Sequence, residues 1–279
     1  MTVNGSYTPL VGDLDCFADD EAEFSILWYA PGPGADHQWR DFDAGPAGLE
    51  HSSVPRTVNG TYEPFVGDFD ANGCDDIFWY APGAGADFVW YGTAGRTFTV
   101  RSVTMTANRT PIVGDFDNAI GDDIFWYGEG GGTESIWLGG PTLGTFTART
   151  APQVGGVDFV TLGSFDDILF YRPGPGADYV WLGIAAGDPS PEESLPTVIN
   201  GTYRPINASG ILLYGPGSAP DRFIYGIEPD GTLLTGPGTI NGTFRTAAMP
   251  ATLGPGSSPA IVFHAPGSAP DYLWVLEGT

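Results

Sequence analysis

Between residues 68 and 76 the chain reads Asp68-Phe69-Asp70-Ala71-Asn72-Gly73-Cys74-Asp75-Asp76. Oxygen-bearing side chains fall at positions 1, 3 and 5 of this stretch, glycine at 6 and a further Asp at 9, which is the front of a calcium-loop pattern. Ca²⁺ takes about six to eight oxygens at roughly 2.3–2.6 Å, and alternate residues of a tight loop point their oxygens inward. The spacing predicts Asp68, Asp70, Asn72 and Asp76 as side-chain ligands and Cys74 as a backbone-carbonyl ligand. The Cys74 thiol is the wrong, soft donor for this ion. Asp115, Asp117 and Asp123 keep the frame, with the Gly121 carbonyl at position 7, but Ala119 and Ile120 replace the Asn and Gly. A site there is expected to be weaker and wetter. A third loop opens with Asp13 and Asp15 and then gains four residues, so Asp19 or Glu23 would have to complete it. The plain alternative for all three is an acidic turn without metal.

Half of the 24 Asp lie in these three windows, and 34 acidic residues face ten basic ones, all Arg, for a net charge of −24. Such crowding repels itself unless a cation sits in it. The same charge disfavours nucleic acid and anionic membrane surfaces as partners. The absence of any run of about 18 apolar residues predicts no membrane insertion. With 42 Gly and 25 Pro, long helices are not expected. Hydrophobic residues still make up 42% of the chain, enough for a core, and short strands between Gly/Pro turns are the reading that fits.

An internal repeat carries these loops. Ile77-Phe78-Trp79-Tyr80-Ala81-Pro82-Gly83 has relatives at Ile26-Leu27-Trp28-Tyr29, Ile124-Phe125-Trp126-Tyr127, Ile168-Leu169-Phe170-Tyr171, Ile211-Leu212-Leu213-Tyr214 and Ile261-Val262-Phe263-His264. Tyr29, Tyr80, Tyr127, Tyr171, Tyr214 and His264 are spaced by 51, 47, 44, 43 and 50 residues, the length of one four-stranded propeller blade. The repeated segment is apolar at every position, so both of its faces should be buried, as in a blade between two others. The expectation is an all-β chain forming a single β-propeller of six four-stranded blades, with seven as the alternative. The blades fall at about 3–53, 54–103, 104–148, 149–196, 197–240 and 241–279. Thr2-Val3-Asn4-Gly5 matches Thr57-Val58-Asn59-Gly60, so the N-terminal segment is expected to close the last blade.

Val66-Gly67-Asp68-Phe69-Asp70-Ala71-Asn72-Gly73-Cys74-Asp75-Asp76-Ile77 resembles the FG-GAP, or VCBS, repeat of bacterial surface and secreted proteins and of integrin α-chain propellers. The resemblance is close in the first three units and fades to the strand anchors in the last three. It implies calcium in the loops between first and second strands, stabilising blades rather than catalysing, and a secreted or cell-surface setting. Some fungal lectins are similar calcium-bearing propellers with sugar pockets between blades, which implies glycans or extracellular proteins as partners.

A second recurrence pairs an acid with Trp: Asp36 with Trp39, Asp87 with Trp90, Asp178 with Trp181, and Asp271 with Trp274. These residues are candidates for a repeated sugar site, since an indole face covers the apolar side of a pyranose. The competing reading has each Trp filling the space between blades and each Asp capping the Pro-Gly turn before it. The three His occupy unrelated repeat positions and no nucleophile motif occurs, so a non-enzymatic binding module, expected to be monomeric, is the reading. Most of the weight goes to a lectin-like module, and a structural or adhesive protein-binding module is the alternative. Cys16 and Cys74 lie in neighbouring loops of adjacent repeats, and a disulfide between them is weighed against two separate thiols.

Overall fold

The computed structural model describes residues 3–16, 24–45, 48–117, 119–128, 133–151, 153, 159–162, 168–182, 193–207, 210–228, 230–248, 260–267 and 269–275. Among them all regular structure is β-strand, arranged in five four-stranded antiparallel sheets and one three-stranded sheet. These are the six blades of a β-propeller, each following the chain in order from first strand to last. No helix is long and apolar enough to cross a membrane.

The chain divides into two compact units, Met1–Asp68 with Asn72–Thr106 and Thr243–Thr279, and Phe69–Ala71 with Ala107–Gly242. In the first unit, blade one comprises Thr8–Gly12, Ser25–Tyr29, Asp36–Gly45 and Gly48–Arg56. Blade two comprises Glu63–Gly67, Asp76–Tyr80, Asp87–Thr93 and Thr97–Val103, and blade six Arg245–Ala248, Ala260–His264 and Tyr272–Val275. In the second unit, blade three comprises Thr110–Gly114, Asp123–Tyr127, Ser135–Leu138 and Thr147–Thr150. Blade four comprises Phe159–Leu162, Ile168–Tyr171, Asp178–Leu182 and Glu193–Thr197, and blade five Arg204–Asn207, Ile211–Tyr214, Asp221–Ile227 and Leu233–Gly238. Within each unit the first strand of the middle blade lies beside the first strands of the other two.

The apolar second strands dictate this packing. Every residue of Ser25–Tyr29, Asp76–Tyr80 and Asp123–Tyr127 is buried, which a sheet with one solvated face could not provide. One cluster joins Leu27 and Tyr29 of blade one to Ile77 and Trp79 of blade two, and another joins Phe125 and Tyr127 to Ile168 and Phe170. The aromatic at the end of the second strand also has a polar role. Tyr29 Oη donates to the Gly60 carbonyl at 2.9 Å and accepts the Tyr62 N–H at 2.9 Å. Tyr171 repeats this with Gly201 at 2.7 Å and Tyr203 at 3.0 Å. In blade six His264 takes the place, accepting the Tyr7 N–H on Nε2 at 3.4 Å and sharing a hydrogen bond through Nδ1 with Asp271 at 2.9 Å.

A buried aspartate opens the third strand in five of the six blades. Asp36 accepts the Ala30 N–H at 2.8 Å on one oxygen and the Val58 N–H at 2.6 Å on the other. Asp87 does so with Ala81 at 2.8 Å and Met105 at 2.7 Å, and Asp178 with Arg172 at 2.7 Å and Ile199 at 2.6 Å. Asp221 bridges Gly215 and Ile240. In blade six, Asp271 takes the Ala265 N–H at 2.9 Å and, from the N-terminal segment, the Val3 N–H at 2.5 Å. Gly267 N–H also donates to the Gly5 carbonyl at 3.0 Å, as Gly32 does to Gly60 at 2.6 Å in blade one. The N-terminus therefore docks on blade six where residues 58–60 dock on blade one, but it adds no fourth strand among the described residues. Blade three departs from the pattern. Its acid is the longer Glu134, residue 152 is a proline with no N–H to give, and the Ala151 N–H bonds the Glu134 backbone carbonyl at 3.1 Å instead.

Removing such a carboxylate leaves two buried N–H groups without acceptors, each costing about 1–3 kcal/mol. Asp87→Ala is expected to lower unfolding free energy by about 3 kcal/mol, and Asp87→Asn, which keeps one acceptor, by clearly less. Denaturant midpoints measure both, and an Asp87→Asn variant as stable as the unaltered protein would show that the carboxylate acts only by filling space.

Candidate functional site

The loops between first and second strands bring together two of the three predicted acidic clusters. Carboxylate oxygens of Asp68, Asp70 and Asp76 lie within 4.8 Å of one another, as do those of Asp115, Asp117 and Asp123. Three hard oxygen donors with no soft ligand among them suit a divalent cation of the calcium type. In the first cluster Asp68 accepts the Asn72 N–H at 3.0 Å and the Gly73 N–H at 2.9 Å, winding the loop around itself. Ala71 and Gly73 stand at φ of 60° and 85° to allow that turn. The Asn72 amide, predicted as a ligand, accepts the Cys74 N–H at 2.7 Å and donates to the Gly92 carbonyl at 3.0 Å. It thus ties the loop to the third strand.

Position 9 is the structural pivot of both loops. Asp76 accepts the Gly92 N–H at 2.8 Å, and Asp123 accepts Gly139 and Phe116 N–H groups, each at 2.8 Å. A Cβ at Gly139 would sit 2.4 Å from the Asp122 carbonyl, which is why the third strand ends in glycine here. Burial is the largest of the effects that push the Asp123 carboxyl up to about 7. The Gly139 and Phe116 N–H groups oppose the rise, and the charges of Asp117 and Asp115 add to it.

The first loop differs from the other two at position 9. Strand register pairs Gly12 with Ser25 as it pairs Gly67 with Asp76 and Gly114 with Asp123, so a serine stands at the position-9 slot. Buried Asp15 is met by Arg96 of the next blade, at 2.9 Å from Nε and 2.5 Å from Nη2. Asp41 also pairs with Arg96. Burial opposes charge on this guanidinium, but Asp41 and Asp15 leave its pKa raised. Asp13 accepts the Cys16 N–H at 2.9 Å and donates its own N–H to Asp75 at 2.7 Å. Among the described residues Asp13 and Asp15 are held in a protein network with a guanidinium; Asp19 and Glu23, the acids expected to complete this loop, lie outside them. Cys16 and Cys74 form a disulfide, with Cα atoms 4.9 Å apart, joining this loop to the second one.

The Asp–Trp pairs proposed as sugar sites are corrected by the same geometry. Asp36, Asp87, Asp178 and Asp271 are buried, and both oxygens of each bind backbone N–H groups. They are braces and offer nothing to a ligand. The Trp residues are mixed. Trp181 is only 6% exposed and packs between blades three and four, whereas Trp274 is 39% exposed. Trp39 is stacked on His51 with centroids 3.8 Å apart, and Trp90 leans on Phe98 at 5.3 Å.

Accessible clefts lie elsewhere. One of about 370 Å³, between blades one and two, is lined by Pro55, Arg56, Thr57, Trp90, Phe98 and Val100 among others. Another of about 270 Å³, between blades four and five, is lined by Thr197, Val198, Ile199, Leu213, Arg222 and Leu233 among others. Both run along the end of one blade's fourth strand and the outer strands of the next. Neither Arg56 nor Arg222 sits in a recurrent motif, so the repeat pattern gave no sign of them. In an all-Arg set of ten cations, their rarity was the available signal.

Neither a protein-family model nor a curated protein sequence matches this chain. Among solved structures it is similar to the crystal structure of an arginine-to-alanine triple mutant of AofleA from Arthrobotrys oligospora. The TM-score is 0.54 at 11% identity, covering 98% of this chain and 84% of that one. At that identity the likeness concerns the fold alone and transfers no site residue.

Because the Asp123 pKa is raised above its unfolded value, its contribution to stability is present below about pH 4 and is lost as pH climbs through about 7. In excess chelator the protein is expected to lose up to roughly 4 kcal/mol across that window from this group. Asp123→Asn should flatten the slope of unfolding free energy against pH. An unchanged slope would mean that Asp123 titrates as an ordinary carboxylate.

Proposed function

We propose that this chain is a non-catalytic, calcium-stabilised β-propeller that binds carbohydrate in clefts between its blades, in a secreted or cell-surface setting. The observation that carries the glycan reading is the cleft between blades one and two, where partly exposed Trp90 and Phe98 stand beside Arg56. An aromatic wall with a few polar groups is the usual make-up of a small-ligand site. Support for calcium comes from the two acid triads and from the likeness of their loops to FG-GAP, or VCBS, repeats. The Cys16–Cys74 disulfide favours an oxidising compartment, where calcium is abundant. Among the described residues, five buried aspartates act as braces and six more gather in the loops, and the sequence holds no nucleophile motif, which together support the non-catalytic reading.

Asp68→Ala is expected to reduce the gain in melting temperature that millimolar Ca²⁺ gives over excess chelator, while leaving the melt in chelator close to that of the unaltered protein. Binding to the native state alone at about 100-fold saturation is worth roughly 2.7 kcal/mol. An unaltered protein that melts identically in calcium and in chelator would remove calcium from the proposal. A glycan array probed with the whole chain tests the second half. Saturable binding to one class of sugar is the expected outcome, and silence across a broad array would leave an adhesive protein-binding module as the better reading.

A further inference from the structure

We infer that the cleft between blades one and two takes an acidic saccharide, a sugar bearing a carboxylate, gripped end-on by the Arg56 guanidinium. The inference rests on the glycan reading above and narrows its ligand class. With 34 acidic residues against ten arginines, a partly buried arginine would be expected to find a carboxylate. Arg96 does so with Asp15 and Asp41, and Arg40 approaches Asp41 at 3.8 Å. Arg56 does not. Its Nε and Nη2 donate to the Oε1 of Gln38 at 2.9 and 2.6 Å, and Gln38 is a neutral amide.

The arrangement holds the group without neutralising it. Gln38 is itself fixed by a 3.0 Å hydrogen bond from its Nε2 to the buried Ser25 Oγ. The Phe98 ring lies under the guanidinium carbon at 5.1 Å, a cation–π contact that keeps the charge intact. Of the five guanidinium N–H donors, Gln38 engages one on Nε and one on Nη2. Both N–H groups of Nη1 and one of Nη2 have no acceptor among the described residues. That end of the fork matches the two oxygens of a carboxylate, a geometry a point cation would not select.

The rest of the cleft argues for a sugar acid over other anions. A polyanion such as nucleic acid would meet a chain of net charge −24, so a single local charge is favoured. A pyranose carboxylate presents one charge, and its uncharged ring can lie toward Trp90 and Phe98. The cleft of about 370 Å³ has room for one such residue. The cleft between blades four and five has Arg222 but Leu213 and Leu233 in place of the aromatic wall, so the specificity belongs to the Arg56 cleft.

The test titrates the whole chain, in calcium, with methyl glycosides of glucuronic acid and of sialic acid. Glucose and the methyl ester of each acid serve as neutral counterparts. The free acids are expected to bind at least about tenfold more tightly than their esters, with affinity falling as salt rises. Arg56→Gln should abolish the difference and Arg56→Lys should retain part of it. The ester comparison uses the unaltered protein and stands even if a variant fails to fold. Equal binding of acid and ester, or a preference that survives Arg56→Gln, overturns the inference while leaving the glycan reading in place. No binding of any sugar here, together with a silent array, overturns both.

Discussion

The structure depends on a carboxylate with no water to bind. At the start of the third strand, Asp36, Asp87, Asp178, Asp221 and Asp271 are buried and each takes two backbone N–H groups. One belongs to the residue just past the second strand, the other to the segment leading to the next blade. An ionised group removed from water must be compensated in full, and two charge-assisted hydrogen bonds do so while fixing where the chain leaves one blade for another. The apolar second strand supplies burial, but burial alone has no direction. The brace gives it one, and its last instance uses Val3 at the far end of the sequence.

The acidic loops follow the same rule at the opposite end of the strands. Asp76 and Asp123 are buried acceptors of N–H groups from the end of the third strand, and the acids of positions 1 and 3 gather beside them. There three carboxylates share one small space in each loop. Three negative groups within 4.8 Å of one another are eased by a cation or a proton. The raised pKa of Asp123, driven first by burial and added to by the charges of Asp117 and Asp115, expresses that crowding.

The repeat was legible because it rests on local rules: an all-apolar strand, a Pro-Gly turn and a fixed period of residues. The acid clusters of blades two and three were legible for the same reason, since the spacing of their acids is a property of the chain. Three things were hidden. A braced Asp and a ligand-binding Asp look alike until burial is known, so Asp36, Asp87, Asp178 and Asp271 read as site residues. The insertion after Asp15 obscured the register that places Ser25 opposite Gly12. Arg56 in its cleft was hidden because a residue that occurs once leaves no period to find.

Blade one then shows what an acidic loop does when the ninth-position acid is gone. The charge left at Asp15 is met from outside the loop by Arg96, whose backbone adopts φ of 57° in the turn after the third strand. The loop backbone is held by the Asp75 N–H to the Asp13 carbonyl at 3.0 Å, by the Asp13 N–H to Asp75, and by the Cys16–Cys74 disulfide. Among the described residues, a guanidinium and a covalent link thus meet the acids of the first loop, whereas blades two and three gather three acids. The two solutions are joined physically, because Cys74 and Asp75 belong to the second loop and Cys16 and Asp13 to the first. Ordering the second loop around a cation would order the first through these links. A metal at Asp68, Asp70 and Asp76 would therefore steady two blades, one by direct coordination and the other through three cross-links.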